Sequence, residues 1–263
     1  MGTARTYEPG TPSWVDLGTP DRDGAAAFYG GLFGWTAEDI SPGEDAGGYR
    51  VLRLGGADVG GLGPQQGPAT AWAAYVAVED ADAALAHVGE LGGSVLMGPI
   101  DVFTQGRMAV VADDQGAPIS LWQAGDNQGA DLKGEPGSFS WIELSCPDAA
   151  RAKTFYGGLF GWTAQSYPYG DGGTSSYTEF ATAGSGTVVA GMIQAPDQWR
   201  TEGPAAWAVY FEVADTDATT ARAVELGGSV SVPPFDIPHV GRVAVLADPY
   251  GAGFTVMTRA HEH

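Results

Sequence analysis

The chain has 263 residues, 44% hydrophobic and 11% aromatic, a composition of one or two globular domains and not of a disordered segment. Thirty-two acidic residues against twelve basic ones give a net charge of −20, which repels phosphate backbones and anionic lipid and so argues against nucleic-acid and membrane partners. No run of about 18 apolar residues is present, the N-terminus MGTARTYEPGTPSW lacks an apolar signal core, and the single cysteine, Cys146, has no mate for an internal disulfide, so a reducing cytoplasm is the expected compartment.

In chain order, WVDLGT alternates with period two. Val15 and Leu17 fall on one face of a strand, Trp14 and Asp16 on the other. A helix follows from Asp21, with Ala25, Phe28, Tyr29 and Leu32 at helical spacing and Gly34 as its stop. YRVLRLG and ADVGGLG form two strands across a Gly-Gly turn. WAAYVAV opens a second half, and the helix DADAALAHVGELGG follows it. Strands near Ser94–Met97, Arg107–Asp113 and Ile119–Gln123 complete a β-α-β-β-β plan used twice.

The plan then recurs. SWVDLGTPDRDGAAAFYGGLFGWTA from Ser13 is matched by SWIELSCPDAARAKTFYGGLFGWTA from Ser140, with FYGGLFGWTA identical in both. AWAAYVAVEDADAA from Ala71 matches AWAVYFEVADTDAT from Ala206, and GRMAVVADDQGAPISLW from Gly106 matches GRVAVLADPYGAGFTVM from Gly241. The second copy carries a net insertion of eight residues between Trp162 and Ala206, in Gly-, Pro- and Ser-rich sequence that reads as loop. Domains are expected at 8–124 and 138–260, with the polar, Gly-rich segment 125–137 as linker.

If each helix covers one face of its sheet, Val15, Leu17, Ala74, Val76, Val78, Ile119 and Leu121 point toward helices. Trp14, Asp16, Ala73, Tyr75, Ser120 and Trp122 then face a cleft, as do Trp141, Glu143, Ala208, Tyr210, Thr255 and Met257 of the second copy. Trp14, Tyr75, Trp122, Trp141 and Tyr210 offer flat amphipathic walls for an aromatic ligand or, in the plainer reading, pack the core. Asp16 and Glu143 occupy equivalent positions. Each is a candidate general acid or base in a partly dry site, or else a structural partner of Arg107 or Arg242. Of four histidines only His239, in PPFDIPHVGR, sits where a loop could border a cleft; His87 is expected on an exposed helix face, and His261 and His263 lie at the terminus. Trp35 and Trp162 read as packing residues, and no phosphate-binding motif is present.

The helix ending AAAFYGGLFGW, the segment VEDADAALAHVGELGG and the terminal pattern GR-x-AV-x-AD-x-x-GA resemble the vicinal oxygen chelate superfamily, the glyoxalase/bleomycin-resistance/dioxygenase proteins, and within it a tandem two-domain actinobacterial type. The resemblance covers nearly the whole chain. It implies an α+β fold of two tandem glyoxalase-like domains, each of paired βαβββ modules forming a cleft. Metal-dependent members carry His, Gln or Glu on the first strand and His and Glu on later strands. Those positions fall on Trp14, Ala73 and Ser120 here, and on Trp141, Ala208 and Thr255 in the second copy, which would make poor ligands for a divalent ion. The resemblance therefore points to a metal- and cofactor-free protein, monomer or homodimer, that binds a small aromatic or hydrophobic molecule as the antibiotic-binding relatives do. Ligand contacts are expected from Trp14, Tyr75, Arg107, Ser120, Trp122, Trp141, Tyr210, His239, Arg242, Thr255 and Met257. The alternatives are a cofactor-free isomerase-, lyase- or hydroxylase-like enzyme of secondary metabolism using Asp16 or Glu143, and a metal-dependent glyoxalase or dioxygenase.

Overall fold

A computed structural model describes residues 5–40, 48–169, 175–194 and 205–260. The first repeat runs β1 (Pro12–Thr19), α1 (Arg22–Phe33), β2 (Thr36–Asp39), β3 (Arg50–Leu54), β4 (Ala57–Pro64), β5 (Ala71–Ala77), α2 (Ala81–Val88), β6 (Ser94–Val102), β7 (Gly106–Ala112) and β8 (Pro118–Ala124). The second runs β9 (Phe139–Cys146), α3 (Ala149–Phe160), β10 (Thr163–Tyr169), β11 (Ser175–Ala181), β12 (Val188–Gln194), β13 (Ala206–Glu212), α4 (Thr216–Glu225), β14 (Ser229–Ile237), β15 (Gly241–Ala247) and β16 (Gly253–Arg259). Each repeat forms one eight-stranded sheet, in the orders β2-β3-β4-β1-β5-β8-β7-β6 and β10-β11-β12-β9-β13-β16-β15-β14. The architecture is α+β in two tandem copies. No described helix is long and apolar enough to cross a membrane.

Local sequence explains the elements. Asp21 caps α1 by accepting the Gly24 N–H at 3.0 Å, and Gly34 ends it in the left-handed region at φ 78°. Asp80, Asp148 and Asp215 cap the other three helices in the same way. The buried residues of α1 are Ala25, Phe28, Tyr29 and Phe33, so Phe33 takes the core position expected of Leu32, which is half-buried. Strand β2, with sequence TAED, is absent from the sequence-based reading because three of its four residues are exposed and it carries no apolar alternation. Val15, Leu17, Ala74, Val76, Ile119 and Leu121 are all buried, as the alternation requires. Val78 lies beyond the end of β5 and is half-buried. The stretch holding the eight-residue insertion includes 170–174 and 195–204, outside the described residues.

The chain divides into two compact units, each drawn from both repeats: Met1–Ser13, Ala74–Gly129 and Ile142–Trp207 in one, and Trp14–Ala73, Ala130–Trp141 and Ala208–His263 in the other. The core of each unit is organised by a buried hydrogen-bonded chain. In the first, the Trp207 indole N–H donates to the Tyr156 hydroxyl at 2.9 Å, and that hydroxyl donates to Asp113 at 2.9 Å. The other oxygen of Asp113 accepts the backbone N–H groups of Gln115 and Ala117, each at 2.8 Å. In the second unit, Trp72 donates to Tyr29 at 2.9 Å, Tyr29 donates to Asp248 at 3.2 Å, and Asp248 accepts the N–H groups of Tyr250 and Ala252. Burial, together with the neighbouring carboxylate, pushes both tyrosines well above the usual phenol range, so they remain donors.

Around Tyr29 the rings of Phe33, Trp35, Trp72 and Phe254 gather with centroids 5.2 to 6.1 Å away. Trp35 and Trp162 are packing residues, as read from sequence: their indoles donate to the carbonyls of Gly137 and Gly10 at 2.7 Å. Segment 125–137 contains no helix or strand, yet it is tightly held. Asn127 receives the Trp122 indole N–H at 2.9 Å, Asp131 accepts the Asp58 backbone N–H at 2.9 Å, and Ala130 is fully buried.

Tyr29→Phe and Tyr156→Phe each leave a buried indole N–H and a buried carboxylate one partner short. Each should lower unfolding free energy by about 1–3 kcal/mol in urea titrations. An unchanged midpoint in both would show that these chains contribute nothing to stability.

Candidate functional site

Strand register decides which residues share a face. Ala81 at the start of α2 donates its N–H to the Gln123 side chain, and Asp82 of α2 binds Arg107. Arg107 and Gln123 are directly opposed in the β7–β8 pair, so both face the helix. Met108 opposes Trp122 on the other face, Val110 opposes Ser120, and Tyr75 is the β5 partner of Ser120. The β6 pairing adds Met97 and Ile100.

The first unit therefore presents a sheet face floored by Tyr75, Ser120 and Trp122, all buried. Met97, Met108 and Val110, half-buried, and exposed Ile100 surround them. The Trp122 ring lies over Gly106, where a Cβ would approach it to 2.6 Å, and it meets Tyr75 edge-on at 6.4 Å. Its only polar atom is taken up by the Asn127 carbonyl, so the ring can be covered by an apolar ligand without stranding a donor.

In the second unit the same logic groups Tyr210, Thr255 and Met257 on one face. The β15–β16 and β14–β15 pairings add Val243, Val245, Val232 and Phe235. Glu212, the strand partner of Met257, also lies here and is 6% exposed. One of its oxygens accepts the Arg259 backbone N–H at 3.2 Å, and the other stands 3.2 Å from the Arg259 guanidinium. Burial raises its carboxyl above the usual range, and Arg259 opposes that rise. Ala77 holds the matching position in the first repeat. Glu212 was missed in the sequence; the available signal was an acidic residue at a sheet-face position of AWAVYFEV.

Also in the second unit, the Trp14 indole donates to the Tyr49 hydroxyl at 3.0 Å, which lies 3.4 Å from an Asp16 oxygen. Trp14 is buried, and Asp16 and Tyr49 are half-buried. Tyr49 was likewise missed: it opens the segment YRVLRLG, which was read only as a strand, and β3 itself begins one residue later, at Arg50. Trp141 and Glu143 are half-buried, and Glu143 lies opposite Gly191 of β12.

Two expectations need correction. Arg107 and Arg242 are not the partners expected for Asp16 and Glu143, nor do they lie on the face of Trp122 and Met257. Arg107 is held by Asp82 at 2.7 Å and Asp101 at 2.6 Å; Arg242 is held by Asp217 and by Asp236. Both sit on the helix-bearing face, one residue out of phase with the ligand-facing set, and the partner arginine pulls the Asp82 and Asp217 carboxyls below their usual range. His239 is exposed at φ 65° and borders an open depression of about 400 Å³ that includes Asp236, Arg242 and Thr258 of that helix-bearing face. His87 is exposed, as expected. His261 and His263 lie outside the described residues. Cys146 is buried, and burial and nearby Asp113 push its thiol up to about 12, which leaves it unreactive.

The family model for the Glyoxalase/Bleomycin resistance protein/Dioxygenase superfamily matches residues 11–121 and 138–256. The anthracycline biosynthesis protein DauV of Streptomyces sp. (strain C5) is 42% identical over 270 residues, covering 95% of this chain and 94% of that protein. Among solved structures, the Mn(II)-bound glyoxalase from Novosphingobium aromaticivorans superposes with a TM-score of 0.63 at 16% identity, over 97% of this chain and 86% of that one. The 2,2',3-trihydroxybiphenyl 1,2-dioxygenase of Sphingomonas wittichii does so at 0.62 and 14% identity, over 95% and 91%. At such identities these two structures speak to the fold alone.

The positions matched to metal ligands do not fit a divalent ion. Trp14 and Trp141 offer an indole N–H, which is a donor only, and Ala73 and Ala208 offer methyl groups. Ser120 and Thr255 add only neutral hydroxyls, both buried. Among the described residues, no three His, Cys, Asp or Glu side chains gather where they could hold a metal.

Because the Glu212 carboxyl is raised, folding favours its protonated form. That stabilisation is fully present below the ordinary carboxylate range and is lost as pH rises through the raised value. Glu212→Gln should therefore raise the urea midpoint at neutral pH, and its advantage over the native chain should shrink as pH falls through the carboxylate range. A pH-independent difference would contradict this.

Proposed function

The chain belongs to the glyoxalase/bleomycin resistance protein/dioxygenase superfamily, and we propose that it is a metal-independent binder of an aromatic small molecule, held on the sheet faces turned away from the helices. The observation that carries this reading is the Trp122 face: an indole with its N–H already satisfied, edge-on to Tyr75 and ringed by Met97, Ile100, Met108 and Val110. Such a surface rewards an extended apolar ring and offers no chelating group. The likeness to DauV supports a polycyclic aromatic of the anthracycline class as the first compound to try.

A second reading is an enzyme that uses Asp16, with Glu143 in the other repeat, as general acid or base. The phenol of Tyr49 beside Asp16 favours it, because a neighbouring donor tunes a carboxylate for proton transfer. Asp16→Asn or Glu143→Gln should then abolish turnover in folded protein. Full turnover in both would remove that mechanism.

For binding, titration with an anthracycline should quench tryptophan emission with the same affinity in the presence and absence of EDTA. Trp122→Ala should weaken binding by about tenfold or more, the scale of a buried aromatic contact. If no polycyclic aromatic binds, or if EDTA abolishes binding, the proposal fails.

A further inference from the structure

Tyr49 has no counterpart among the residues so far assigned to ligand contact, and its setting is built. Its ring lies across two glycines of β4. A Cβ at Gly61 would come within 1.7 Å of the Tyr49 hydroxyl oxygen, and one at Gly63 within 3.1 Å of the ring. Gly61 and Gly63 pair with Asp16 and Gly18 of β1, so the phenol is delivered to the strand neighbour of Asp16. The Arg22 guanidinium holds the carbonyl of Gly48, itself at φ 72°, and fixes the approach of the chain.

The hydrogen bonds have a direction. Trp14 can only donate, so the Tyr49 oxygen accepts from it, and the Tyr49 proton points elsewhere. Its described acceptor, Asp16, is 3.4 Å away, well beyond the roughly 2.7–2.8 Å typical of O–H···O bonds. Burial and Asp16 both raise the phenol, so it holds its proton at working pH. A half-buried donor and a half-buried carboxylate thus lie side by side, spaced widely enough for a third oxygen to bond to both.

We propose that Asp16 and Tyr49, both in the second unit, form a subsite for a phenolic hydroxyl of an aromatic ligand bound by that unit. The ligand O–H donates to the Asp16 carboxylate while the same oxygen accepts the Tyr49 proton. A ketone or ether oxygen could take only the second bond and would face the carboxylate without a proton between them, so the pair selects hydroxylated rings over quinone or alkoxy rings. The second repeat differs. Tyr177 holds the corresponding strand position and Gly191 matches Gly61, but Ile193 stands where the first repeat has Gly63. The ring bed is complete only in the first repeat, which assigns the phenol-selective subsite to that copy.

The inference rests on the aromatic-binding reading above, and its test separates the two. Affinities of the full chain for 2-naphthol, 2-methoxynaphthalene and naphthalene are measured by tryptophan fluorescence and calorimetry. The native protein should prefer 2-naphthol over the other two by about tenfold, the scale of one hydrogen bond to a charged group. Tyr49→Phe and Asp16→Asn should each bring that preference close to unity. Gly63→Ile, which inserts the second repeat's residue beneath the ring, should do the same while Tyr49 itself is retained. A preference that survives all three substitutions, or its absence in the native chain, overturns the subsite alone if an anthracycline still binds. If neither the naphthalenes nor an anthracycline binds, both readings fall together.

Discussion

A carboxylate buried without partners would destabilise the folded chain severely, and each unit resolves that problem in the same way. Asp113 and Asp248 are 3% exposed, yet each accepts two backbone N–H groups from the turn that follows it and one phenol O–H from a distant helix. The phenol in turn receives an indole N–H. Every polar atom in this chain is matched, so the arrangement fixes the turn, the helix and the strand carrying the tryptophan relative to one another. It accounts for the identity of FYGGLFGWTA between repeats: the tyrosine supplies the hydrogen bond, the phenylalanines and final tryptophan pack around it, Gly34 ends the helix, and Gly30 and Gly31 leave room for the Trp35 carbonyl and Leu226.

The division of labour between sheet faces follows from that core. Basic side chains are few, and Arg107 and Arg242 are spent on the helix-bearing faces, where they tie the first turns of α2 and α4 to the edge hairpins. The opposite faces are left with rings, thioethers, aliphatics and a small number of hydroxyls and carboxylates. A surface of that kind offers shape and one or two directional hydrogen bonds to whatever covers it.

Much of this was legible in the sequence. Period-two alternation put Val15, Leu17, Val76 and Leu121 into the core, and capping aspartates and terminal glycines marked the helices. The misplaced arginines show where such reading stops. Whether Arg107 lies with Trp122 or with Gln123 depends on the register of the β7–β8 hairpin, which pairs Arg107 with Gln123 and which alternation within one strand cannot report. Tyr49 was invisible for a different reason. Its position depends on the absence of side chains at Gly61 and Gly63, and glycines in a strand announce room for something without saying what fills it.

The buried chains also cross the boundary between repeats. Tyr29, made early, bonds to Asp248, made almost last, while Asp113 of the first repeat waits for Tyr156 of the second. During synthesis the first repeat therefore emerges with its aromatic helix face uncovered and an unmet acid, and neither compact unit can close until most of the second repeat has left the ribosome. With both repeats on one chain, that closure is an intramolecular step whose rate does not depend on protein concentration.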